Sequence, residues 1–151
     1  MFDFSKLEIG QVIDRPYFIG SEERDGLPRL PVTSTVSRLM QKIIFRENNV
    51  LGAHLGPCWI WTGRLSRNGY GRSWYNPSKK EIGCHRIMYF EMVGPIPKDR
   101  ILDHLCRWRA CCSPWHVEPV THKENTARGN AILFKRPEEY LKQDTPLRLT
   151  A

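Results

Sequence analysis

A chain of 151 residues, 40% hydrophobic and 26% charged, can bury one core but is short for two full domains. Lys and Arg outnumber Asp and Glu by 23 to 16, and the net charge of +7 favours an anionic partner, usually nucleic acid. No apolar run approaches the roughly 18 residues of a membrane helix, and no signal-peptide core opens the chain, so a cytoplasmic protein off the membrane is expected. Five Cys, an odd number, argue against a disulfide framework and for metal ligands plus a spare thiol.

Eleven Pro and eleven Gly predict turns and short elements. Residues 1–31 read as a loosely structured arm, with apolar patches at Leu7 to Ile13 and Tyr17 to Ile19 before a loop punctuated by Gly26, Pro28 and Pro31. After the caps Thr33 and Ser34, the residues Val36, Leu39, Met40, Ile43 and Ile44 recur at helical spacing. An amphipathic helix is therefore expected over about 33–49, with Arg38, Lys42 and Arg46 on its solvated face. Residues 1–55 form an N-terminal extension in this reading. Cys58 to Gly63 alternates like a strand whose Trp59 and Trp61 belong to the core, and Asn68-Gly69-Tyr70-Gly71 is a hairpin turn returning through Arg72 to Tyr75. A second turn, Asn76-Pro77-Ser78, leads to Glu81-Ile82-Gly83. Cys84 to Val93 has helical spacing and stops at Gly94-Pro95. Strands follow at Ile101 to Leu105 and Val117 to Thr121, then a short helix from His122 to Gly129. Residues 56–130 make one mixed α+β domain, and 131–151 a tail with an apolar patch, Ile132 to Phe134, and a turn opened by Pro137.

The chemistry concentrates between Ile101 and Asn130. Cys106, Cys111 and His116 are spaced Cys-x4-Cys-x4-His. Thiolates and imidazole are the preferred ligands of tetrahedral zinc, and a closed structural site needs four. Cys58, Cys84 and Cys112 are the candidates for the fourth. His104 closes a strand, Asp103 precedes it, and Asn125 follows 21 residues later in a helix, so a strand, a looped return and a helix would bring His104 and Asn125 onto one cleft. An imidazole with a pKa of about 6.5 suits deprotonation of water at neutral pH. A facing amide or carboxylate oxygen suits a hard cation such as Mg²⁺. Adjacent residues on a regular strand point to opposite faces, so Asp103 can join His104 only if the strand ends or bulges there. His85 and His54 read as satisfied structural histidines, and His122 as a helix-capping surface group. Arg72, Arg86, Arg107 and Arg109 are candidate phosphate contacts, the last two flanking Trp108.

The run Leu102-Asp103-His104-Leu105-Cys106, followed by Cys111, Pro114, His116, Glu118-Pro119-Val120-Thr121 and Glu124-Asn125, resembles the HNH endonucleases common in bacteriophages. It is also similar to the zinc-containing His-Cys box homing endonucleases. The likeness extends upstream through Cys58 to Gly63, Gly69-Tyr70-Gly71, His85-Arg86 and Gly94-Pro95-Ile96-Pro97, about residues 56–130. Cys84 and Cys112 depart from the family pattern. The resemblance implies a zinc-bound ββα-metal (His-Me finger) core with an antiparallel β-hairpin and short helices. It implies Cys58, Cys106, Cys111 and His116 as ligands of a structural Zn²⁺. It further implies His104 as general base, with Asn125 and Asp103 as ligands of a catalytic Mg²⁺ or Mn²⁺. The expected activity is hydrolysis of DNA phosphodiester bonds in a bacterial or phage-infected cell. A noncatalytic zinc-stabilised DNA-binding module and a nuclease acting on RNA or branched DNA remain as alternatives, and a homodimer is left open.

Overall fold

The computed structural model describes residues 8–11, 30–47 and 56–135, with side chains to residue 128, and these described residues form nine short elements. The Tyr17 to Ile19 patch, the ends of the Leu7 to Ile13 patch, the loop through residue 29, His54, the side chains of Ile132 to Phe134 and the tail from 136 lie outside the described residues. Helix α1 spans Ser34–Met40, and strand β1, Ile43–Arg46, pairs antiparallel with β2, Cys58–Trp61. Strands β3 (Arg72–Tyr75) and β4 (Lys80–Gly83) form a second two-stranded sheet and lead into helix α2, Cys84–Met92. Strands β5 (Ile101–His104) and β6 (Val117–Val120) form a third, followed by helix α3, His122–Lys135. The architecture is mixed α+β, built from small antiparallel pairs. Among the described residues, no helix is long and apolar enough to cross a membrane.

Two expectations are corrected here. The helix expected to reach residue 49 stops at Met40, because Ile43, Ile44 and Phe45 pair with Trp61, Ile60 and Trp59. β-branched and aromatic side chains suit a half-buried pleated surface, and a long-range partner strand overrides the helical spacing they share. Arg38 also does not simply face water, since its guanidinium donates to the Trp74 carbonyl at 2.9 Å and ties α1 to β3. The second correction concerns the Asn68-Gly69 turn. It closes a tight loop, in which Ser66 N–H donates to the Tyr70 carbonyl at 2.7 Å, with a single bridge from Leu65 to Gly71. The strand that follows then pairs with β4 and not with β2. Trp61 lies across this crossing, and a Cβ on Gly71 would come within 2.9 Å of its indole.

The core joins the expected extension to the expected domain. Val32, Val36, Leu39 and Ile43 are buried in one cluster with Trp59, Trp61, Ile87, Met88 and Val117. The turn at residues 8–11 is held to it as well, for Val32 N–H donates to the Gln11 carbonyl at 2.7 Å. Glu91 on α2 accepts from the Thr33 hydroxyl at 2.8 Å and from the Tyr75 hydroxyl at 2.7 Å, linking the α1 cap, α2 and β3. Burial together with this carboxylate pushes the Tyr75 phenol up to about 12. A second, smaller cluster holds Cys58, Ile60, Cys106, Ala110 and Cys111.

Helix α3 begins with a reciprocal cap. Glu124 N–H donates to Thr121 Oγ1 at 3.1 Å, and Thr121 N–H donates to Glu124 Oε2 at 2.8 Å. These bonds from Thr121 hold the Glu124 carboxyl below its usual value. The helix runs through Gly129 to Lys135, six residues beyond the expected end.

Candidate functional site

Two sites flank the short loop between β5 and β6. The first is a closed cluster. Trp61 N–H donates to the Ala110 carbonyl at 2.9 Å and Cys112 N–H to the Trp59 carbonyl at 2.7 Å, so residues 110–112 run beside β2 and bring Cys111 against Cys58. Cys106 follows the end of β5, and His116 immediately precedes β6. The ligand atoms of Cys58, Cys106, Cys111 and His116 all lie within 4.8 Å of one another, and all four residues are buried. The imidazole presents Nδ1, 3.5 Å from the Cys58 sulfur and 3.6 Å from that of Cys111. Burial acts to raise the Cys111 thiol, but hydrogen bonds from Cys106, Cys58 and the backbone around it outweigh burial and hold it well down. Cys58, donating to its neighbours, is pushed up instead. Three soft sulfur donors and one imidazole, buried and convergent, are the donor set of a tetrahedral metal site, and they could hold a metal ion such as zinc. Of the three candidates for the fourth ligand it is Cys58 that joins the group, while Cys84 and Cys112 sit in the larger apolar core.

The second site is an open cleft of about 560 Å³ between the β5–β6 pair, the start of α2 and the 66–70 loop. His104, Asp103 and Asn125 all line it, and so do Arg72, Arg86, Arg107 and Arg109. The strand rule is satisfied because β5 ends at His104, where the chain turns, and both Asp103 and His104 reach the cleft. Asn125 stands in the first turn of α3, its N–H bonded to the Thr121 carbonyl at 2.9 Å.

His104 is 6% exposed, and its Nε2 lies 3.0 Å from the Cys111 carbonyl oxygen. A carbonyl only accepts, so Nε2 carries the proton and Nδ1 keeps its lone pair. Burial pushes the His104 imidazole below 6.5, only partly opposed by the Cys106 sulfur, the Cys111 carbonyl and Asp103. Burial thus favours the neutral ring, and the Cys111 carbonyl sets its tautomer. That is the state a general base requires.

Asp103 is 5% exposed and held from two sides. Arg107 donates to Oδ1 at 2.6 Å and Arg128 to Oδ2 at 3.1 Å, and Arg128 also reaches Glu118 at 2.8 Å. Arg107 adopts a left-handed backbone, φ 59°, which is uncommon outside glycine. Arg109 lies over the Tyr70 ring at 5.8 Å and donates to the Asn68 carbonyl at 3.1 Å, while Arg72 donates to the Glu81 carbonyl at 2.6 Å.

Sequence reasoning missed two residues. His85 read as a satisfied structural histidine, yet its ring stands 4.7 Å from that of His104 in the cleft, and its buried Nδ1 has no hydrogen-bond partner. Burial, then the neighbouring charges of His104, Arg86 and Arg72, pushes it well below 6.5. Arg128 drew no attention, although it lies three residues after Asn125 and therefore on the same side of α3. His122 is exposed at the helix start, and Thr121 does the capping instead.

Comparison with known proteins agrees with the sequence pattern. Residues 83–127 match the family model described as HNH endonuclease, so the resemblance read from the sequence is borne out over that segment. The chain is similar to Protein 2.8 of Escherichia phage T7, 36% identical over 69 residues that cover 46% of either chain. It is similar to Protein 7.7 of the same phage, 36% identical over 69 residues, which is 46% of this chain and 52% of that one. The Uncharacterized gene 5.3 protein of Enterobacteria phage T3 is 31% identical over 52 residues, 34% of this chain and 52% of that one. The chain spans about half the length of these curated relatives. No solved structure matches it.

Proposed function

We propose that this protein is a metal-dependent endonuclease that hydrolyses DNA phosphodiester bonds in the cytoplasm of a bacterium or phage-infected cell. What carries the reading is one observation: a buried histidine whose Nε2 is held by the Cys111 carbonyl, an acid, an amide and four arginines share a single cleft. The HNH-family match over residues 83–127 and the net charge of +7 support it.

In this reading β5, β6 and α3 are the two strands and helix of a ββα-metal core. Cys58, Cys106, Cys111 and His116 would hold a structural Zn²⁺ that ties the β5–β6 loop to β2. His104 Nδ1 removes a proton from water as its oxygen attacks phosphorus in line. The new P–O bond forms as the bond to the leaving ester oxygen breaks, and that oxygen takes up a proton from solvent water in the open cleft. Asp103 and Asn125, hard oxygen donors in the same cleft, would hold Mg²⁺ or Mn²⁺. When bound, the ion stabilises charge developing on the phosphoryl and leaving oxygens. Arg72, Arg86, Arg107 and Arg109 hold the flanking phosphates.

Plasmid DNA incubated with the pure protein and Mg²⁺ or Mn²⁺ tests this. Cleavage is expected, and it should stop with EDTA or with His104→Ala. Bound but intact plasmid across several metals would leave a noncatalytic DNA-binding module, and cleavage confined to RNA or branched DNA would redirect the substrate class.

A further inference from the structure

Asp103 is the one acidic side chain among the residues lining the cleft, and both of its oxygens are engaged by guanidinium groups. The two clamps are not equivalent. Arg128 stands outside the cleft lining and is anchored a second time by Glu118 at 2.8 Å. Arg107 lines the cleft beside three other arginines, within reach of any anion that enters. With Asp103 only 5% exposed, a divalent cation approaching the carboxylate meets the Arg107 charge at contact distance. A DNA phosphate, like a carboxylate, accepts paired guanidinium N–H bonds.

We propose that Arg107 couples DNA binding to cation binding: in the free protein it occupies Asp103, and an entering phosphate draws it away and yields the carboxylate to the cation. This rests on the nuclease reading above and adds to it that the cation site assembles only on substrate. Arg128 stays in place and keeps Asp103 oriented. By linkage, the cation must tighten DNA by the same factor as DNA tightens the cation.

Mn²⁺ binding, followed through the EPR signal of the free aqua ion, tests the coupling in full-length, zinc-loaded His104→Ala protein, which leaves a short duplex uncut. Asp103→Asn in that background measures the Mn²⁺ held by the duplex alone. DNA is expected to tighten the Asp103-dependent site by about tenfold, within the ~5- to 150-fold usual for coupled sites. Adding Arg107→Gln should tighten Mn²⁺ without DNA to near that level, and DNA should then add less than about twofold. Arg109 carries the same charge in the same cleft but donates to the Asn68 carbonyl and lies over Tyr70, and Arg109→Gln should leave Mn²⁺ affinity without DNA within about twofold.

An Arg107→Gln protein that keeps its zinc yet binds Mn²⁺ no tighter than its parent without DNA overturns the proposal. Equal tightening by Arg109→Gln does the same, as does the lack of any Asp103-dependent Mn²⁺ site with or without DNA. Should Arg107→Gln lose its zinc, the parent decides through the reciprocal measurement: duplex affinity unchanged by Mn²⁺ refutes the coupling. Failure of the nuclease reading looks different, because the wild-type protein would then leave DNA uncut, whereas this coupling is read without turnover.

Discussion

The Cys58–Cys106–Cys111–His116 cluster and the His104 cleft lie on either side of one loop, yet they are built on opposite plans. In the cluster every donor is buried, and all converge within 4.8 Å of one another, closed off from any substrate. In the cleft the donors are spread over an open wall, the acid is paired with arginines, and His104 keeps one nitrogen uncommitted. A site that completes its own coordination can stabilise a fold but has nothing to offer a reactant. A site that leaves one basic atom unpaired gives up stability for reactivity.

The comparison breaks first at the cluster. Cys106→Ser should lose zinc and unfold the domain, because structural zinc contributes on the order of 10–16 kcal/mol, as much as the ~5–15 kcal/mol stability of a whole domain. Circular dichroism and zinc content check this, and a folded, zinc-free, active Cys106→Ser protein would erase the division of labour. Stripping zinc from the wild-type chain with a chelator should have the same effect.

The cleft should respond the other way. His104→Ala is expected to keep its zinc and melting temperature while losing about 10²–10⁴ in cleavage rate. The wild-type pH profile sharpens the point. Since burial lowers the His104 pKa, the base stays neutral through pH 6.5, and cleavage should fall only at a midpoint below that value. The same shift means that the unfolded chain takes up this proton first, so folding stability should decline as pH drops from 6.5 towards the folded value. An acid limb centred above 6.5 would contradict the buried, neutral imidazole.

Smaller effects separate mounting from contact. Thr121→Ala removes the cap beneath Asn125 and should cost about 1 kcal/mol in thermal or chemical unfolding. A loss of activity larger than the loss of stability would mean that this cap also aims Asn125. Arg109→Gln should be nearly silent in stability but lower the slope of log affinity against log salt by about 1, as expected for one lost phosphate contact. An unchanged slope would remove Arg109 from the DNA surface.

Legibility followed sequence distance. The Cys-x4-Cys-x4-His spacing, the strand ending at His104 and the helix carrying Asn125 are local patterns, and each element lies within a residue or two of its expected start. Spacing alone left three thiols open as the fourth ligand. What selects Cys58 in space is the pairing of residues 110–112 with β2, a contact across some fifty residues that periodicity does not encode. The overlong first helix failed for the same reason, since Ile43 and Ile44 fit either period until β2 is available as a partner. Arg128 and Asp103 are 25 positions apart, and their ion pair exists only once α3 has docked on β5. The Thr121–Glu124 cap was readable but unread, being a Thr-x-x-Glu signature just before the helix.

Cys111 belongs to both sites, its sulfur facing the cluster and its carbonyl oxygen fixing the proton of His104. The His104 cleft is for that reason not portable as a set of side chains. Grafted onto another scaffold without the 106–116 loop, the same histidine could carry its proton on either nitrogen, and only part of its population would present the basic one. A designer borrowing this arrangement would need to move the loop together with Cys58 as a single cassette, and judge success first by which imidazole nitrogen is protonated in NMR spectra.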